Sequence, residues 1–201
     1  MSPASESHVP GPSQAEGRWK GVLASACRSA VLELLADKPI ADFKATLSQA
    51  GQAFFDDRFL ATAWYPETAS GEVLEKLAAA LREPAPGVAL RLGARTLDLS
   101  AGQFGRWLLQ LFATPERFAG YSGQVWSRLR DGELACRLEA ETIHCELSNW
   151  RGHHPLSCLA VVGAINELGK NMRGVHWHGA QRTACVASGA SRCAYELAFQ
   201  R

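Results

Sequence analysis

The chain has 201 residues, 21 basic against 20 acidic side chains, a formal net charge of +1 and 47% hydrophobic residues. That size suits one domain with a core large enough to need no staples. Balanced charge without a basic block argues against nucleic acid or a membrane surface as partner. The longest apolar stretch, Leu159 to Ile165, is far too short to span a bilayer.

Residues 1–17 hold three prolines, four serines and almost no large apolar side chain, and read as a disordered tail ahead of one domain over 18–201. No basic segment followed by a hydrophobic run marks an export signal. Six cysteines in such a chain point to a reducing cytoplasm, where thiols stay free or bind metal.

From Trp19 onward the pattern is helical. Val22, Leu23, Cys27, Ala30, Val31, Leu34 and Leu35 recur at helical spacing, with Pro39 just beyond. A short helix is expected over Ile40 to Ala50, ended by Gly51, and a dense aromatic connection follows. The spacing predicts further helices over Glu72 to Arg82, Val88 to Leu99 and Phe104 to Phe112, and one from Pro115 towards Arg130.

The period then changes from helical to alternating. Folding the chain at Ala140-Glu141 pairs Leu138 with Ile143, Cys136 with Cys145 and Leu134 with Leu147, so that all the apolar members share one face. Pro155 to Met172 predicts an amphipathic helix carrying Cys158, Val161, Val162, Ile165 and Leu168 inward. Arg173 to His178 is a candidate strand. A last hairpin, centred on Ser188-Gly189-Ala190-Ser191, sets Cys185 opposite Cys193 and continues through Tyr195, Leu197 and Phe199. The fold class is α+β, with N-terminal helices packed on an antiparallel sheet.

Helix and sheet must pack through the surfaces that carry Cys158, Cys185 and Cys193, so three thiols converge. They read as metal ligands, a disulfide or small core residues. His176 and His178 are the nearest candidates for a fourth metal ligand. His153 and His154, beside Trp150, read as exposed side chains of the loop leading into the helix, the alternative being that they line a pocket or coordinate a metal. Trp107, Tyr121 and Trp126 are either aromatic walls for an apolar ligand or ordinary core. No nucleophile–base pair, phosphate loop or metalloprotease helix is present, which points away from an enzyme.

The stretch from Trp150 to Phe199 resembles the C-terminal half of the vinyl reductase-type (4-vinyl reductase) domain of bacterial aromatic-sensing regulators. The likeness rests on His154-Pro155-Leu156-Ser157-Cys158, on Gly163-Ala164-Ile165-Asn166-Glu167-Leu168, and on Cys185, Gly189, Cys193 and Tyr195-Glu196-Leu197. The upstream half is similar to an uncharacterised myxobacterial branch through Tyr65-Pro66 and Gly93-Ala94-Arg95. The resemblance implies a fold shared with haem-based nitric-oxide-binding domains and with small subunits of a vesicle-tethering (TRAPP) complex. It also implies a homodimer enclosing an apolar ligand. Zinc-binding members place ligands at positions equivalent to Cys158, Cys185 and Cys193 and add a glutamate where this chain has Arg182. Haem is not expected: the Tyr-x-Ser-x-Arg motif is absent, and Phe112 to Arg130 offers no histidine.

The expected function is a non-enzymatic, cytoplasmic sensory domain that encloses a small apolar or aromatic molecule and signals through a separate partner protein. The alternative is an adaptor or assembly subunit that uses the fold without a ligand. A third possibility is an enzyme acting on a tetrapyrrole or aromatic substrate.

Overall fold

Trp19 sits in a three-residue strand, β1 (Arg18–Lys20), that leads straight into α1 (Gly21–Leu35). Alanines keep α1 narrow. Ala24, Ala26 and Ala30 are wholly buried, so the helix is enclosed by its neighbours. The computed structural model describes residues 16–36, 38–104 and 112–201. Residues 1–15 of the expected tail lie outside that range, whereas the Gly17 carbonyl accepts a hydrogen bond from the Glu67 amide at 2.8 Å.

The single helix expected over Ile40 to Ala50 is two, α2 (Ile40–Ala45) and α3 (Gln49–Asp56). Thr46 turns its hydroxyl back to the Phe43 carbonyl at 2.8 Å, ending the first. Ser48 then caps the second, its Oγ accepting from the Gly51 amide at 3.3 Å, so Gly51 lies inside α3 and ends nothing. Strand β2 (Trp64–Pro66) pairs antiparallel with β1, a small sheet the alternation did not reveal. Two long helices follow, α4 (Ser70–Leu81) and α5 (Ala85–Phe104). The expected break between Leu99 and Phe104 does not occur. The helix expected over Phe104 to Phe112 falls mostly outside the described residues. Helix α6 (Pro115–Leu129) starts at a Thr114 cap.

The hairpin of β3 (Glu133–Glu139) and β4 (Thr142–Ser148) has the expected register, Leu138 with Ile143, Cys136 with Cys145 and Leu134 with Leu147. The Cys136 and Cys145 sulfurs are bonded, where free thiols were expected, because the register sets the two residues directly opposite. Helix α7 (Pro155–Gly169) crosses to β5 (His176–Ala184), which runs further than the expected Arg173 to His178. A 3-10 turn over Val186–Ser188 leads to β6 (Cys193–Gln200), with Gly189 at φ 88° supplying the left-handed residue. The four strands lie in the order β3-β4-β6-β5, all antiparallel. Asn166 of α7 secures the irregular β5 edge, its Oδ1 accepting from the Ala180 amide at 2.7 Å and from Trp177 Nε1 at 3.3 Å.

Two cores result. One joins α1 to α5 around Val31, Leu77 and Val88. The other lies between α7 and the sheet around Ile143, Cys158, Tyr195 and Leu197. Helices α5 and α7 bind the two together through glycines. A Cβ on Gly93 would lie 1.8 Å from the Ala160 carbonyl oxygen, and one on Gly163 would lie 1.9 Å from that of Leu90. The backbones touch where a side chain would hold them apart.

This contact reverses the usual sign of a helical Gly→Ala change. In an open helix the substitution stabilises by about 1 kcal/mol. Here Gly163→Ala must force two backbones apart and is expected to destabilise by about 1–3 kcal/mol. Denaturant unfolding checks this: the midpoint should fall with an unchanged slope, and a midpoint that held or rose would contradict the close crossing.

Candidate functional site

Where α1, α5, α6 and α7 converge they leave a cavity of about 190 Å³. Its walls are almost wholly apolar and include Leu23 of α1, Leu92 of α5, Val125 and Trp126 of α6, and Val161 and Ile165 of α7. A dry cavity of about 150 Å³ with similar walls holds benzene. This one therefore has room for a single ring bearing a few further atoms. Burial pushes the Cys27 thiol in the wall up to about 12, so it stays neutral.

Of the three expected aromatic wall residues, Trp126 lines the cavity. Tyr121 does not: the inner stripe of α6 runs Phe118, Ser122, Val125, Trp126, which turns Tyr121 outward to 44% exposure. Trp107 lies outside the described residues. Trp19 and Phe112 are walls the sequence reading missed.

At one end of the cavity stands a buried ion pair. Arg130 donates to Glu67 through a short contact, and Trp150 Nε1 donates to the other Glu67 oxygen at 3.1 Å. The guanidinium is enclosed by indole rings, its carbon lying 5.5 Å from the Trp19 centroid, 5.4 Å from Trp126 and 5.0 Å from Trp150. Burial pushes the Glu67 carboxyl up, against the opposing pull of Arg130 and Trp150. Nothing in the sequence singles out this glutamate.

At the first turn of α7 lies a thiol–imidazole cluster. Cys158 Sγ is 3.1 Å from Cys193 Sγ, and His153 Nε2 is 3.1 Å from Cys158 Sγ and 3.4 Å from Cys185 Sγ. All four ligand atoms fall within 4.8 Å of one another, and the three cysteines are buried. The fold brings the donors together from three places: the first turn of α7, the hairpin after β5, and the loop before α7. His153 is therefore not the exposed loop side chain expected. Burial, reinforced by the positive neighbours His154 and Arg182, lowers its pKa and favours the neutral ring. Burial and the adjoining Cys193 raise the Cys158 thiol, and burial with Cys158 raises Tyr195. His176 and His178 are not part of the cluster. They stand at the opposite end of β5 from Cys185, exposed and against each other with ring centroids 4.9 Å apart. Arg182, where the resemblance calls for a glutamate, donates to the Pro155 carbonyl at 2.9 Å and lies 3.7 Å from Cys185 Sγ.

No family profile and no curated protein matches this sequence. Solved structures do match its fold. An H-NOX protein from S. oneidensis in the Fe(II)NO ligation state superposes with a TM-score of 0.67 at 13% identity, over 90% of this chain and 99% of that one. The Shewanella oneidensis H-NOX domain in the Fe(II)CO state gives 0.65 at 13% identity, with 90% and 99% coverage. An oxygen-binding H-NOX domain related to soluble guanylate cyclases gives 0.62 at 12%, with 90% and 95% coverage. At such identity the likeness establishes the fold. It supports the α+β architecture through H-NOX structures and does not single out the vinyl reductase type.

This likeness corrects the cofactor expectation. Haem was set aside on a missing motif, yet the proteins that share the fold are haem-binding H-NOX domains, and they lend no support to zinc. Within this chain the described walls do not fit a histidine-held iron porphyrin. None of the six histidines of the sequence lies among them. The sulfur they offer is the neutral Cys27 thiol, and the cation they offer, Arg130, already faces Glu67.

The Glu67–Arg130 pair is testable by removing one partner and then both. Glu67→Leu alone should destabilise by about 3–5 kcal/mol, because it leaves a buried charge uncompensated. Adding Arg130→Met should recover most of that loss. Denaturant unfolding of the two variants decides it, and a double variant as unstable as the single one would contradict the account.

Proposed function

We propose that residues 18–201 act as one small-molecule-binding sensory domain, non-enzymatic, whose cavity encloses a small apolar molecule and whose state is read by a separate partner protein. The observation that carries this reading is the 190 Å³ apolar cavity between α1, α5, α6 and α7. A filled core at that place would favour the adaptor alternative. A ligand there touches both cores at once, since α5 belongs to the N-terminal one and α7 to the sheet side. Signalling then requires that the ligand bind one arrangement of these helices better than another. Among the described residues no helix is long and apolar enough to cross a membrane.

On the same reading, Cys158, Cys185, Cys193 and His153 hold one thiophilic metal ion that pins the first turn of α7 to the β5–β6 hairpin. Three sulfurs and a neutral imidazole at this spacing suit such an ion. Metal analysis of the purified chain should find about one ion per protein, and Cys193→Ser should release it. A fully stable, metal-free wild type would remove this part of the reading.

Titration with ethylbenzene, followed by tryptophan fluorescence, tests the cavity itself. Binding should be saturable, and Ala164→Phe, which fills the cavity from α7, should weaken it at least ~10-fold, in line with the loss of most of a buried ring's contacts. Absence of saturable binding to the folded wild type would overturn the sensor reading.

A further inference from the structure

The polar groups of the cavity wall are not evenly satisfied. Ser70 and Ser157 bond to each other at 3.3 Å, and Cys27 is bonded to Thr96. By contrast, three buried side-chain polar atoms of the wall residues have no partner among the described residues: Trp19 Nε1, Ser122 Oγ and Arg130 Nε. All three belong to residues that line the cavity. Trp19 is 4% exposed and Ser122 5%.

Two of these three residues are in direct contact. Trp19 and Arg130 face each other across a backbone bridge, and the Arg130 guanidinium lies over the Trp19 ring. Ser122 stands one helical turn before Trp126, over whose ring Arg130 also lies. Indole and guanidinium N–H groups donate and cannot accept, and a serine hydroxyl can also donate. A buried donor without an acceptor is destabilising, so this wall is incomplete without a guest that accepts. A cationic guest would meet Arg130 and donors only. Glu67 does not complete the set, because its two oxygens already take Arg130 Nη2 and Trp150 Nε1.

We propose that the cavity's ligand is an apolar molecule ending in a hydrogen-bond-accepting oxygen, a carbonyl or a carboxylate, set against Trp19, Ser122 and Arg130. The inference rests on the cavity reading above and deepens it from size to chemistry. It excludes ammonium-bearing molecules and ranks plain hydrocarbons low, since neither offers an acceptor to these donors.

Isothermal titration calorimetry with ethylbenzene, acetophenone, benzoate and benzylamine on the full chain tests it. Acetophenone or benzoate should bind at least ~10-fold tighter than ethylbenzene, because a site built to hydrogen-bond discriminates strongly against an analogue that cannot. Benzylamine should bind weakest. Ser122→Ala and Trp19→Phe, each removing one donor, should narrow the preference. If the four bind alike, or benzylamine binds best, the acceptor inference is overturned while the cavity stands. If none binds, the inference falls together with the sensor reading. The wild-type comparison decides the matter even if a variant fails to fold.

Discussion

The Glu67–Arg130 pair is the interaction on which the functional regions depend. Glu67 follows β2, and its amide is held by the Gly17 carbonyl. Its oxygens take Arg130, at the end of α6, and Trp150, just after β4. A Cβ on Gly152 would lie 2.7 Å from Glu67 Oε2, so the segment leading into α7 passes directly over the carboxylate. Three stretches distant in sequence are thus registered on one buried carboxyl. Such a pair adds little net stability compared with well-packed apolar side chains, and its contribution is to fix one arrangement.

From that node the two candidate sites follow. Arg130 closes one end of the cavity, with Trp19 and Trp126 against its guanidinium. Gly152 immediately precedes His153, so the same packing places the imidazole among the three cysteines. The cluster and the cavity share one helix: Cys158 of α7 meets Cys193 of the sheet, and Ser157 and Val161 line the cavity. The glycine contact between α5 and α7 keeps that helix close to the N-terminal core. A change in cavity occupancy therefore bears on a helix whose first turn is tied to the β5–β6 hairpin.

Much of this fold was legible because burial enforces period. The β3–β4 register follows from three apolar pairs, since a slip of one residue would turn Leu134, Leu138 and Leu147 to the wrong face. The convergence of Cys158, Cys185 and Cys193 could be read from one apolar helix face meeting one apolar strand face. Breaks set by local hydrogen bonds were harder to read. The division of α2 from α3 depends on Thr46 and Ser48 turning their hydroxyls to backbone and to Glu72, which hydrophobic spacing does not record. His153 was misplaced for a related reason. A polar residue in a short loop has no period, and its direction is set by Gly152 packing on Glu67 some 85 positions earlier in the chain. Tyr121 was misassigned by aromatic type, when helical phase alone decides which side of α6 faces inward.

The central claim is that the space between α1, α5, α6 and α7 is a real, dry, accessible chamber. Crystals of the protein pressurised with xenon test it most directly, because xenon enters apolar cavities and scatters strongly. The account predicts xenon density bounded by Leu92, Val125 and Val161 in an otherwise unchanged fold. An absence of xenon there, with protein side chains occupying the volume, would contradict the ligand-binding account.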